Sequence, residues 1–162
     1  MITTDKPLVL DDPELLAGLT EIFEQRISFN KVLGLRIGSL NPRAPELHFD
    51  MRPEMVGNFA RGMLHGGVIS TVLDVAGGLA TMLSILERHA SHGESVEIQL
   101  ARFARVGTID LRVDYLRPGI GTSFRSVSEV MRFGSRVAVI RSDLFNQIDE
   151  LIASAVAAYT VG

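Results

Sequence analysis

Asp74 is the residue whose surroundings most demand an explanation. It is the only charged residue between Arg61 and Glu87, and its neighbours Val72, Leu73, Val75 and Ala76 are apolar. A carboxylate in such company loses solvation unless donors meet it, and positions of this kind are enriched in functional groups. Nine residues earlier stands His65, followed by Gly66 and Gly67. The glycines fall where a helix would begin, with unpaired N–H groups and the positive end of the helix dipole exposed. A carbonyl oxygen aimed at that end would be polarised, because charge developing on it meets preorganised donors. An acid and a polarising amide together suit attack on an acyl group.

At about 100° per residue, nine positions amount to roughly half a turn, so His65 and Asp74 would point to opposite sides of one helix. Either His65 precedes the helix in a different conformation, or the site joins His65 of one subunit to Asp74 of another. The second arrangement is favoured, and with it an obligate dimer. A lone histidine more often orients or caps a loop than transfers protons, so His65 is expected to be a structural part of the site.

The elements that must position these groups read as follows. Residues 12 to 27 place Leu15, Leu16, Leu19, Ile22, Phe23 and Ile27 at helical spacing, with Asp11 or Asp12 available as cap. Two extended stretches, Val32 to Ser39 and Glu46 to Met51, flank the proline-interrupted 41–45 and suggest a hairpin. A loop then leads to a helix over 66 to 88, whose apolar residues cover nearly every direction and therefore need enclosure. Gly77-Gly78 in mid-helix implies a close approach by another helix or a ligand. The segment 88 to 107 carries His89, His92, Arg102 and Arg105 and reads as a solvated excursion. Four runs follow, Thr108 to Leu116, Ser123 to Phe133, Arg136 to Phe145 and Leu151 to Val161, separated by turn residues in the manner of an antiparallel meander. In the first, Ile109, Leu111, Val113 and Tyr115 alternate with Thr108, Asp110, Arg112 and Asp114, as in a sheet with one buried face. One long helix with five or six antiparallel strands is α+β architecture.

At 162 residues the chain is expected to be a single domain, an N-terminal segment 1–30 carrying the amphipathic helix followed by the body, 31–162. Apolar residues make up 46% and charged residues 22%, as in a folded protein in water. Without cysteine there are no disulfides, thiolate nucleophiles or thiolate-held metals. His48, His65, His89 and His92 form no carboxylate-supported cluster, so neither metal nor cofactor is expected. A net charge of −3 lacks the basic field that gathers nucleic acid. The helix over 66 to 88 has the length of a membrane span, but Asp74 at its middle weighs against one. Nothing at the N-terminus resembles an export signal, so a cytoplasmic location is expected.

His65-Gly66-Gly67-Val68-Ile69-Ser70-Thr71-Val72-Leu73-Asp74 resembles the signature of hotdog-fold thioesterases of the phenylacetic-acid-degradation type. Thr108 to Pro118 looks like that family's next strand, and within the family the chain is most similar to bacterial medium- and long-chain acyl-CoA thioesterases. The resemblance implies a central helix wrapped by an antiparallel sheet, a homodimer or tetramer, and hydrolysis of acyl-CoA. By the same resemblance, Asp74 is nucleophile or general base, the Gly66 N–H polarises the carbonyl, and Thr108 helps to place the water. Asn58 stands for an asparagine upstream of the histidine, one residue farther from it than in the pattern. Gly67 and the turn Gly134-Ser135-Arg136 fall where the family contacts substrate, Arg136 toward the phosphates of coenzyme A. An enoyl-CoA hydratase would instead need an Asp-x-Asn-Pro-x-His pattern, which the sequence lacks. A non-enzymatic acyl-CoA-binding protein is the other alternative.

Overall fold

The computed structural model describes residues 12–89 and 94–161; the positions before Asp12, Asp11 among them, and His92 lie outside the described residues. Asp12 opens helix α1 (Pro13–Glu21), where its Oδ1 accepts the Glu14 N–H at 2.9 Å. Ile22–Arg26 continue as a wider π-type turn, and Leu15, Leu19 and Phe23 are buried. A second short helix, α2 (Ser28–Leu33), takes residues expected to begin the first strand. It stops at Gly34, whose φ of +65° is a left-handed conformation that suits glycine. Strand β1 is therefore only Arg36–Ser39, and it forms the anticipated hairpin with β2 (Glu46–Asp50).

The stretch read as a loop contains a small hairpin, β3 (Val56–Asn58) with β4 (Met63–Leu64), which leads into helix α3 (Gly66–His89). Helix α4 (Val96–Ala101) and a 3-10 turn (Arg102–Arg105) precede β5 (Thr108–Tyr115). The chain closes with β6 (Ser123–Phe133), β7 (Val137–Asn146) and β8 (Leu151–Thr160). Six strands make one antiparallel sheet in the order β1-β2-β6-β7-β8-β5, with α3 laid across it: the hotdog arrangement.

Only the last three strands form a consecutive meander, because β5 lies beyond β8 at the edge. The link from β5 to β6 cannot turn tightly back. Gly119 within it is buried, its carbonyl accepts the Leu64 N–H at 2.9 Å, and a Cβ there would come within 3.0 Å of Leu64. The link is thus tied to the residues just before α3.

The helix lies on small side chains. Ala80 packs among Ala138, Ile140, Ala157 and Tyr159. Ser128 and Ser142, opposite each other on β6 and β7, bond through their hydroxyls at 2.8 Å and so bury without orphaned polar groups. Thr81 and Ser84 of α3 return their hydroxyls to the carbonyls of Gly77 and Ala80. With a mean hydropathy of 1.7, α3 is long and apolar enough to cross a membrane, yet it forms the centre of this core. Its enclosure is incomplete: Gly67, Ser70, Thr71, Asp74, Val75 and Gly78, at helical spacing, keep partial access to solvent.

The segment expected to be a solvated excursion is instead a packed cover. Val96, Leu100 and Phe103 share a helical face, Phe103 meets Phe23 edge-on with centroids 5.3 Å apart, and Leu100 fills the space over Gly18. Arg102 forks onto Glu94, which satisfies the charge that made the stretch look like a loop.

The two mid-helix glycines differ. A Cβ on Gly77 would lie 2.2 Å from the Tyr159 hydroxyl, whereas one on Gly78 would meet nothing within 4 Å. Gly77→Ala is expected to cost about 1–3 kcal/mol through overpacking. Gly78→Ala is expected to be neutral or to stabilise by up to about 1 kcal/mol through helix propensity. Equal effects of the two variants in urea unfolding would show that the approach of Tyr159 is not what requires Gly77.

Candidate active site

Strict alternation along β5 would send Thr108 to the outer face with Asp110, Arg112 and Asp114. The register shows otherwise: Asp110 pairs with Ala158, but Thr108 pairs with Tyr159, so Ile109 is an extra residue. Such a bulge re-aims its neighbour. Thr108 turns inward beside Tyr159, and its hydroxyl donates to Asp74 Oδ1 at 2.8 Å. The Tyr159 hydroxyl donates to the Asp74 carbonyl at 2.8 Å and lies 3.3 Å from the same Oδ1. Burial first, and then the adjacent Asp74 charge, hold the Tyr159 phenol far above its ordinary ionisation range, so it acts as a donor. Asp74 is only partly buried, at the rim between α3 and the edge strand.

A second cluster lies at the start of α3. His65 is the N-cap: its Nδ1 accepts the Gly67 N–H at 2.8 Å and its carbonyl accepts from Val68 and Ile69. A ring nitrogen here replaces the hydroxyl or carboxylate oxygen usual at this position. The His65 N–H donates to Met55 at 2.8 Å, which fixes the β3–β4 hairpin against the helix. Gly57 belongs to this contact, since a Cβ there would come 2.7 Å from the His65 backbone. The Gly66 N–H has no hydrogen-bond partner among the described residues, while the Gly66 carbonyl accepts the Tyr115 hydroxyl at 3.1 Å. Asn58, exposed at the end of β3, stands on the same hairpin with its amide unbonded among the described residues.

The third expected group is the β6–β7 turn. Gly134 is constrained by a close approach, its N–H donating to Val137 at 2.9 Å with no room for a Cβ. Arg88 ties this turn to the end of α3, bonding the Gly134 carbonyl at 2.9 Å and lying over Phe133. Ser135 and Arg136 are exposed, and Arg136 has no ion-pair partner among the described residues. Because Ala138, Tyr159 and Thr108 form one row across β7, β8 and β5, the turn lies at the same end of the sheet as Thr108.

Within one chain, then, Asp74 and Thr108 meet, His65, Gly66, Gly67 and Asn58 gather at the helix start, and the two groups remain apart. Sequence reasoning gave no role to Tyr115 or Tyr159. They are the only two tyrosines of the chain, and both phenols end on the backbone or carboxylate of the expected site residues. That scarcity was the available signal. A hollow of about 500 Å³ between the π-type turn and α4, lined by Ile22, Ile27, Leu100 and Phe103 among others, includes none of these residues.

A long helix on an antiparallel sheet, with an acid part-way along the helix and a free amide at its start, agrees with the family to which the chain belongs. It is a member of the thioesterase superfamily, whose match covers residues 61–153, and thus a thioester hydrolase. It is 46% identical to the medium/long-chain acyl-CoA thioesterase YigI of Salmonella typhimurium, over 95% of this chain and 98% of that one. With the YigI protein of Escherichia coli K12 the identity is 45% over the same shares. Among solved structures, a Shewanella oneidensis protein related to the thioesterase superfamily superposes with a TM-score of 0.85 at 40% identity. That match covers 92% of this chain and 96% of the other.

If His65 caps rather than catalyses, His65→Asn, whose side-chain oxygen can accept the same N–H, is expected to keep stability and turnover near wild type. His65→Ala is expected to lose about 1 kcal/mol. An asparagine variant that folds normally but loses turnover as completely as the alanine variant would assign the imidazole to the chemistry.

Proposed function

We propose that the protein hydrolyses medium- to long-chain acyl-CoA thioesters to free acid and coenzyme A, working in the cytoplasm. The observation that carries this reading is the Asp74 carboxylate, held at 2.8 Å by Thr108 at the sheet edge while remaining open along the uncovered stripe of α3. In the reaction the Gly66 N–H donates to the thioester carbonyl oxygen, and Asp74 acts at the carbonyl carbon as nucleophile or general base. As a base it takes a proton from water, whose oxygen adds to the carbonyl carbon, and the tetrahedral oxyanion then expels the thiolate of coenzyme A. As a nucleophile its oxygen first adds to the carbonyl carbon and the C–S bond breaks, releasing the thiolate of coenzyme A and leaving a mixed anhydride, which water then opens to free acid and the regenerated carboxylate. Thr108 orients the carboxylate and the attacking water, and Asn58, exposed at the end of β3, meets the acyl group or the water.

On this reading the groups come from two subunits. Gly66 and Asp74 are eight residues apart on one straight helix, about 12 Å along its axis, too far for one carbonyl to touch both. Strand β5 offers the means of assembly: its outer edge is unpaired among the described residues, and Ile109 and Tyr115 on it are each more than half exposed. A second copy pairing along this edge covers those side chains and brings its own helix start toward Asp74. His65 and Gly67 shape that start, and Gly134, Ser135 and Arg136 receive the nucleotide phosphates at the sheet end. The chain-length class follows that of the named relatives.

Given acyl-CoAs of increasing length, the wild-type enzyme is expected to release free thiol most rapidly in the medium-to-long range. Asp74→Ala is expected to lower turnover by about 10²–10⁴-fold throughout the series. Normal thiol release by Asp74→Ala would sink the assignment. Conversion of enoyl-CoA to hydroxyacyl-CoA without thiol release would make the protein a hydratase, and tight binding without turnover would make it an acyl-CoA-binding protein.

A further inference from the structure

The hydrogen bonds of Asp74 are unequal between its two oxygens. Thr108 Oγ1 and Tyr159 Oη both approach Oδ1, at 2.8 and 3.3 Å, whereas Oδ2 accepts no hydrogen bond among the described residues. We infer that Tyr159 is a positioning residue that, with Thr108, anchors Oδ1 so that Oδ2 is the oxygen that attacks the thioester or takes the proton of water. This rests on the assignment of Asp74 as the reacting carboxylate and adds which atom reacts and what aims it.

Three features support it. First, the Tyr159 hydroxyl spans the backbone and side chain of one residue, since it bonds the Asp74 carbonyl at 2.8 Å while touching Oδ1. The carboxylate is thereby referred to its own main chain, which limits rotation about the side-chain bonds. Second, passage of the hydroxyl is provided by Gly77, one turn beyond Asp74 on the same face, where any Cβ would stand 2.2 Å from the phenol oxygen. Third, the bulge at Ile109 puts Thr108 directly opposite Tyr159, so Thr108 donates to Oδ1 from one strand while Tyr159, from the next, shares its single proton between the Asp74 carbonyl and the same oxygen. A carboxylate fixed through one oxygen presents the other along a defined direction. A misplacement of about 1 Å at a reacting atom can cost on the order of 10²-fold in rate.

Tyr159→Phe keeps the ring against α3 and removes only the hydroxyl. It is expected to lower kcat roughly 10- to 100-fold with KM within about twofold of wild type, while the unfolding midpoint falls only slightly through the lost hydrogen bond. Full kcat in a folded Tyr159→Phe protein would overturn the positioning role. Provided Asp74→Ala is inactive, that result would leave the hydrolase reading intact, whereas an active Asp74→Ala protein would remove both. Should Tyr159→Phe fold poorly, proton NMR of the wild-type protein gives a second readout. A slowly exchanging Tyr159 hydroxyl proton with a cross-peak to the Thr108 methyl is expected, and its absence would also overturn the inference.

Discussion

Moving a carboxylate out of water costs several kcal/mol unless hydrogen bonds replace the lost solvation. Asp74 stands, partly buried, about a third of the way along a helix whose buried positions are almost all apolar, so the fold must deliver donors to it. It does so from the sheet. The bulge at Ile109 turns Thr108 inward, β8 sets Tyr159 opposite it, and both hydroxyls end on the same residue. Because these donors stand on the edge strand and its neighbour, Asp74 is met without being sealed in. The same arrangement that makes the carboxylate tolerable leaves it accessible.

Close contact between α3 and the sheet is the second requirement, and it explains much of the composition. Alanines and serines on β6 to β8 keep the sheet surface low, and Gly77 does the same on the helix where Tyr159 crosses. A larger residue at any of these positions would lift α3 and lengthen the Thr108–Asp74 bond. On the far side, α1, its π-type turn, α4 and the 3-10 turn close over the remaining apolar surface through Phe23, Leu100 and Phe103.

The long helix, the last four strands and the prominence of Asp74 were legible in the sequence because each depends on local periodicity or a conspicuous exception to it. Asp12 as cap was legible for the same reason. What was not legible depends on pairing between distant residues. The position of β5 beside β8 rests on pairings such as Thr108 with Tyr159, and its link to β6 is tied by Gly119 to Leu64, both more than fifty positions apart in the chain. The inward turn of Thr108 contradicts the alternation of its own strand, and a bulge leaves no mark in a regular run of residues. Segment 94–106 looks solvated when its charges are counted without their partners, but Arg102 is satisfied by Glu94, and Val96, Leu100 and Phe103 supply a partly buried face that the helical period contains. The extended reading that starts at Val32 begins too early, because Gly34 marks the end of a helix that holds Val32 and Leu33.

On this account each chain carries two half-sites, a free Gly66 amide at a helix start and an Asp74 carboxylate about 12 Å further along the same axis, and a second copy joins them. Subunit complementation tests this most directly. Gly66→Pro removes the N–H at a helix position that tolerates proline, and Asp74→Ala removes the carboxylate. Each variant alone should be inactive, and co-assembled subunits should recover about a quarter of wild-type activity, since half the dimers are mixed and each holds one intact site. Mixed assemblies as inactive as either parent would contradict the account.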